Sequence, residues 1–187
     1  MIMNILRKIY RRIRLARASM SERLSILRPL FYHLGNNVEL YSTDLGTEPY
    51  LICIEDNVCV AEGVKFITHD VSCFRVAQYM GINKNNIDKV GSIVLKDNCF
   101  IGAYTILMPN TSVGRNSVIA AGSVVTKNIP DNEVWGGSPA KFIMTIDEYA
   151  RKVLEKSALY PWLNLKNISH QEMVVMRQKY FFNNLKY

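Results

Sequence analysis

From residue 95 onward, large aliphatic side chains recur every six residues: Leu95, Ile101, Leu107, Val113, Ile119 and Val125. The position four after each holds Cys99, Thr105, Thr111, Ser117, Ser123 and Ile129, and all but the last are small. Each six-residue block therefore offers one large aliphatic and one compact residue to a common interior. Gly102, Gly114 and Ala120 follow three of the aliphatics, where a tight corner tolerates little bulk. The same period occurs earlier, led by Ile54, Val60 and Phe66. Leu34 and Leu40 join it, with two extra residues before Ile54. A period of six is no multiple of 3.6, so a helix does not explain it. Strand alternation survives it, but the corner after each aliphatic interrupts every strand. Short strands turning at fixed intervals predict a parallel β-helix, in which three blocks close one triangular coil. Coils stack about 4.8 Å apart, and the aliphatics stack into ladders along the axis. The pattern accommodates about four coils, within residues 31–146.

The period stops after Phe66 and resumes near Val90–Leu95. Residues 70–89, with their Asn-rich tail, cannot continue the core pattern and are expected to be a loop extruded from the coil. Long loops in compact domains commonly carry function. His69 stands at the root of this loop and is the one histidine inside the repeats; His33 and His170 lie outside them. Asp70 puts a carboxylate where the pattern otherwise has an interior residue, and Asp44 breaks the pattern in the same way.

Two flanking segments read as helical. In residues 1–30, Ile2, Leu6, Ile9, Ile13, Ala16 and Met20 recur at helical spacing with arginines between them. This predicts a basic amphipathic helix, either lying on an anionic membrane surface or packing on the body or a neighbouring subunit. Charges break every apolar window, so the segment reads as neither a signal peptide nor a membrane span. In residues 147–187, a helix with acids in its first turn begins at Asp147, and Pro161 interrupts. A second helix is expected from about Ser169 to Phe182, with Ser169 and Glu172 forming a capping box. Together these are expected to cover the open end of the coil, with Tyr160, Trp162, Tyr180, Phe181 and Phe182 as capping core.

Charge sharpens this picture. The formal net charge of the 187 residues is +7, and residues 1–30 account for all of it, with eight Arg and Lys against Glu22 alone. The remaining chain is neutral, which argues against a body that grips nucleic acid. The cysteines, Cys53, Cys59, Cys73 and Cys99, form no CxxC and no metal-ligand spacing with histidine, and are expected to be free thiols in a reducing cytoplasm. A zinc enzyme on such a coil requires three converging histidines. With His69 alone in the repeats, no metal is expected.

Glu48-Pro-Tyr-Leu, Phe66-Ile-Thr-His-Asp70, Asn98-Cys-Phe-Ile-Gly102, Ala120-Ala-Gly-Ser-Val-Val-Thr-Lys127 and Gly136-Gly-Ser-Pro-Ala-Lys141 carry a resemblance over residues 34–150. The chain resembles the hexapeptide-repeat acyltransferases of the left-handed β-helix class. Within that class it resembles the O-acetyltransferases of bacterial cell-surface polysaccharide synthesis, and then the galactoside, maltose and streptogramin acetyltransferases. The resemblance implies a homotrimer with active sites between subunits, acetyl-CoA as donor, and direct transfer without a covalent intermediate. His69 matches the catalytic histidine. Ala103, Ala121, Thr126, Lys127 and Lys141 match positions that contact CoA, and Phe100 matches an aromatic facing the acceptor. Gly122 and Trp135 join the candidate donor-side set, with Trp135 either stacking on adenine or covering the coil end. Asp44 and Arg75 are candidates for the acceptor side. The chain departs from the pattern at Val71, Ser72, Glu55 and Asn110, where glycine is common, and at Trp135, which replaces a small residue.

The expected chemistry follows. An alcohol is a poor nucleophile near neutral pH, so a neutral imidazole must take its proton as it attacks the thioester. His69 is the base, a backbone N–H at the coil stabilises the oxyanion, and Asp70 or Asp44 holds the imidazole tautomer. The expected acceptor is a sugar hydroxyl, and the N-terminal helix points to a lipid-linked glycan at the cytoplasmic face of the membrane. The alternatives are a free sugar, an amino sugar, a streptogramin-like drug, or a non-catalytic trimeric scaffold.

Overall fold

The computed structural model describes Leu15 and residues 17–183. The described residues divide into two compact units, with the boundary between Ile146 and Asp147.

The first unit is a parallel β-helix. Its strands are β1 (His33–Leu34), β2 (Glu39–Leu40), β3 (Ile52–Ile54), β4 (Cys59–Val60), β5 (Lys65–Phe66), β6 (Ile93–Leu95), β7 (Phe100–Ile101), β8 (Ile106–Leu107), β9 (Thr111–Val113), β10 (Val118–Ile119), β11 (Val124–Val125), β12 (Glu133–Gly136) and β13 (Lys141–Thr145). They form three sheets ordered β1-β3-β6-β9, β2-β4-β7-β10-β12-β13 and β5-β8-β11. Within them every pairing is parallel except β12 with β13, which closes the stack antiparallel.

Register makes the hexads into ladders. Ile54 pairs with Leu95 and Leu95 with Val113. Val60, Ile101, Ile119 and Trp135 form the second ladder, and Phe66, Leu107 and Val125 the third. These aliphatics are almost completely buried, and so are the compact residues Cys99, Thr105, Thr111, Ser117 and Ser123. The buried hydroxyls are satisfied by backbone carbonyls: Ser117 donates to Pro130 at 2.7 Å, Ser123 to Ala120 at 2.5 Å and Thr111 to Met108 at 2.7 Å. A small polar residue thus fits the narrow interior without leaving an unpaired donor. Cys99 shares this interior, and burial pushes its thiol up to about 12. It is an inert core residue.

The corners carry a signal that the hexad reading missed. The third residue after an aliphatic takes a left-handed backbone, and along one edge it is always asparagine: Asn37, Asn57, Asn98, Asn116 and Asn132. Asparagine tolerates this conformation better than other non-glycine residues. Its amides also stack, Asn98 donating to Asn116 at 3.1 Å and Asn116 to Asn132 at 2.8 Å. Gly102 shows why bulk is excluded just after an aliphatic. A Cβ there would lie 2.4 Å from the Ala121 nitrogen of the next coil.

The expected continuous N-terminal helix is corrected. Helix α1 spans Met20–Leu27 and starts afresh at Ser19, whose hydroxyl and Glu22 form a capping box. Leu15 and Leu27 join the core of the β-helix. Arg23 donates to the carbonyls of Leu40 and Tyr41, and Arg28 to those of Leu34 and Gly35. The guanidinium groups satisfy carbonyls of the first coil, which has no preceding coil to pair with. This portion of the basic segment packs on the body. The rest of the predicted helix, residues 1–14 and 16, lies outside the described residues. Among the described residues, no helix is long and apolar enough to cross a membrane.

The excursion is not simply a loop. It contains helix α2 (Cys73–Met80), which ends at Gly81 in the left-handed conformation. Its root is pinned by an antiparallel bridge between His69 and Val90 and by backbone bonds from Asp70 to Lys89 and from Gly91 to Thr68. The second unit holds α3 (Ile146–Ala158) and α4 (His170–Phe182), the latter capped by Ser169 and Glu172. Between the helices Tyr160 stacks on Trp162 at 4.9 Å, and Tyr180 meets Trp162 edge-on at 5.3 Å.

Candidate active site

His69 leaves the third sheet just after β5 and is held at the excursion's root by the pairing with Val90. Its ring is oriented by a residue the hexad reading did not assign. Nδ1 lies 3.0 Å from Oε1 of Glu48. The other oxygen of Glu48 accepts from Thr47 at 2.5 Å and from the buried Thr68 at 3.0 Å. Burial alone would push the Glu48 carboxyl up. The hydrogen bonds from Thr47, His69 and Thr68 outweigh it and hold Glu48 below the usual glutamate range. An ionised carboxylate only accepts, so Nδ1 carries a proton, and the neutral ring in that tautomer has its lone pair on Nε2. That is the tautomer a general base needs.

Glu48 reaches this point because the first coil is two residues longer than the regular coil. Leu34 pairs with Ile54, twenty positions on, whereas Leu95 pairs with Val113 at eighteen. The extra residues lie in the segment between β2 and β3, which passes close against the coil. A Cβ at Gly46 would meet the Phe66 carbonyl at 2.3 Å. Pro49 then opens a short 3-10 turn, Pro49–Leu51, directly after Glu48. The two inserted residues were visible in the sequence, as was the Glu48-Pro-Tyr-Leu motif. Only the fold joins them to His69.

The expected tautomer holders are corrected. Asp70 is not interior. It forms an ion pair with Lys89 at 2.6 Å and accepts from the Ser72 nitrogen at 3.0 Å. Lys89 and Ser72 draw its carboxyl down to about 2. Asp44 is exposed and pairs with Lys65 at 2.8 Å. In each case the buried position is taken by a nearby hydroxyl residue, Thr68 and Ser42. A threonine or serine can satisfy itself on a backbone carbonyl, and an unpaired carboxylate cannot.

The other predicted residues are spread over the coil and the excursion. Thr126 and Lys127 follow β11 at the corner that His69 occupies after β5. Ala103, Ala121 and Gly122 occupy the corner before the third sheet, where the Gly122 nitrogen donates to the Ala103 carbonyl at 2.8 Å. Phe100 is partly exposed on β7. Lys141 is exposed on β13, opposite Gly136. Arg75 stands on α2 and donates to Gln78 at 2.9 Å. Trp135 lies at the coil end. It is 8% exposed, sits at the end of the Ile119 ladder, donates its indole N–H to Glu133 at 2.5 Å and meets Phe142 edge-on. The Lys127 ammonium lies 4.8 Å from its ring centre, so that face is already covered.

Comparison with known proteins agrees with this architecture. The family described as bacterial transferase hexapeptide (six repeats) matches residues 92–127. Protein CapG of Staphylococcus aureus is 39% identical over 143 residues, covering 74% of this chain and 80% of that protein. Galactoside O-acetyltransferase of Escherichia coli (strain K12) is 31% identical over 137 residues, covering 70% of this chain; the chain spans just under two thirds (65%) of that enzyme's length. The crystal structure of a maltose O-acetyltransferase from Clostridium difficile 630 superposes with a TM-score of 0.52 at 28% identity, over 69% of this chain and 77% of that one. With the six-residue ladders, the stacked corners and these relatives together, the chain belongs to the hexapeptide-repeat acyltransferase family.

Proposed function

We propose that the protein transfers an acetyl group from acetyl-CoA directly to a sugar hydroxyl, with His69 as general base and Glu48 as its positioning residue. The observation that carries this reading is the 3.0 Å contact from Nδ1 to Glu48, which leaves Nε2 as the proton acceptor. As the acceptor oxygen attacks the thioester carbon, its proton passes to Nε2. Glu48 stabilises the imidazolium that forms, and the proton then leaves with the CoA thiol. A sugar acceptor is supported by the kinship with a galactoside and a maltose O-acetyltransferase. The hexapeptide-repeat relatives support a left-handed winding, and the motif resemblance extends the reading to cell-surface polysaccharide synthesis.

A homotrimer belongs to the same proposal. The donor-side residues divide between two corners of one chain: Thr126 and Lys127 at one, Ala103, Ala121 and Gly122 at the other. A subunit boundary is where two such corners from different chains can line one groove. A cytoplasmic setting, with residues 1–14 touching the inner leaflet near a lipid-linked glycan, completes the reading. There Arg7, Lys8, Arg11, Arg12 and Arg14, with no acid among them, favour anionic lipid.

Calorimetric titration with acetyl-CoA, beside propionyl-CoA and free CoA, tests the donor. Micromolar binding of acetyl-CoA is expected. Lys127→Ala should weaken it by about 10-fold through loss of a charge-assisted phosphate contact. No binding of any of the three would leave a non-catalytic scaffold. Glu48→Gln tests the positioning role. It should lower kcat by about 10–100-fold while the KM for acetyl-CoA holds. An unchanged kcat with a lowered melting temperature would reduce Glu48 to a structural residue.

A further inference from the structure

Beside the catalytic nitrogen, three donors of different chemistry converge. His69 Nε2, Cys73 Sγ and an oxygen of Asp88 all lie within 4.8 Å of one another. They come from three separate places: the root of the excursion, the first turn of α2, and the segment that returns to the coil. Nε2 stands 3.1 Å from Asp88 Oδ1. It is closed to solvent, and its alignment with that oxygen makes no hydrogen bond. Cys73 is 4% exposed. In a tetrahedral zinc centre with Zn–N near 2.0 Å and Zn–S near 2.3 Å, neighbouring donors stand about 3.3–3.8 Å apart. Nε2 and Oδ1 already stand near that spacing, and the longest separation, at most 4.8 Å, must close by about 1 Å.

Two further features suit a cation. The histidine already donates its other ring N–H to Glu48 at 3.0 Å, the arrangement that orients metal-bound imidazoles and raises their basicity. The nearest lysine on the returning segment, Lys89, is committed to Asp70 and so directs its charge elsewhere. A thiolate and a carboxylate together neutralise a dication, and the mixed N, S, O set selects a borderline ion over magnesium or calcium. Counting histidines in the sequence could not find this site, because two of its three ligands are not histidine and lie in the excursion.

We propose that His69, Cys73 and Asp88 bind a zinc-like divalent transition ion, which silences the enzyme by occupying the nitrogen that serves as base. On binding, the Cys73 thiol proton is released to solvent, and the Nε2 lone pair is shared with the metal instead of the acceptor's proton. Three protein ligands leave a fourth position for water. The metal site stands on its own geometry; its silencing effect rests on the acetyl-transfer reading.

The test is a cobalt(II) titration of the full chain after treatment with chelator, followed by displacement with zinc. One cobalt per chain is expected, with tetrahedral visible bands and a near-ultraviolet thiolate-to-cobalt band that zinc abolishes. Cys73→Ala should lose the thiolate band. Asp88→Asn, at an exposed position that leaves the fold intact, should weaken binding by at least about 10-fold, the lower cost of losing even an outer partner of a metal ligand. Absence of stoichiometric binding, or binding that survives in both variants, would overturn the site. In a separate arm, zinc should inhibit acetyl transfer reversibly, and Cys73→Ala should resist it. Binding without inhibition would overturn the silencing role. Failure of the chelated protein to turn over would count against acetyl transfer and leave the metal result standing.

Discussion

His69→Ala is expected to lower the rate of acetyl transfer by about 10²–10⁴-fold, the usual contribution of a positioned general base. This corresponds to about 3–5 kcal/mol of lost transition-state stabilisation. The size follows from how the ring is held. Glu48 fixes one nitrogen, the Val90 pairing fixes the backbone, and Phe74 meets the ring edge-on at 6.1 Å. A base held this way loses little entropy when the acceptor arrives. On the proposed mechanism the loss should fall on kcat with acetyl-CoA binding unchanged, because the base acts on the acceptor oxygen and not on the donor. Stopped-assay release of free CoA, measured with saturating donor, decides the matter. Near-normal turnover in the variant would remove His69 from the mechanism. Nε2 is closed to solvent and stands 3.1 Å from Asp88 Oδ1.

The second large effect is on stability. Ile101→Ala should destabilise the protein by about 2–5 kcal/mol and lower its melting midpoint by about 4–20 °C. Ile101 is fully buried between Val60 on one coil and Ile119 on the next. Its truncation leaves a void that the ladder cannot collapse into, since the backbone hydrogen bonds on both sides set the coil spacing. The neighbouring Gly102 prevents a shift in the other direction, because its backbone already abuts Ala120 and Ala121. A truncation at the exposed Ile143 should change stability by about 0.5 kcal/mol or less. Thermal unfolding followed by circular dichroism distinguishes the two. Equal losses at both positions would mean that the ladder is not the source of stability.

Much of this molecule is written in the spacing of its residues. The aliphatics from Leu95 to Val125 occupy equivalent interior positions because a coil of eighteen residues returns the chain to the same place, and burial rewards only that register. The small residues four positions on are equally legible, since the interior is too narrow for two large side chains per block. The place of His69 was also readable, because it opens the one large interruption. What the sequence could not assign were partners remote in the chain. Glu48 precedes His69 by twenty-one positions, and the two meet across coils, where the first coil carries two residues more than the regular eighteen.

Asp70 and Asp44 were adjacent to the right places by sequence, yet each turned outward. A carboxylate is stabilised by Lys89 or Lys65 at the surface more readily than in a coil interior. Trp135 was open between two roles, and only the register shows that it ends the Ile119 ladder. The basic segment likewise read as amphipathic whether it faced lipid or protein. Arg23 and Arg28 were drawn to the unpaired carbonyls of the first coil, a need that exists only once the coil has formed. Periodicity reports which side chains share an environment, because burial acts on each residue alone. Which groups touch is decided by pairwise geometry across coils, and that belongs to the tertiary structure.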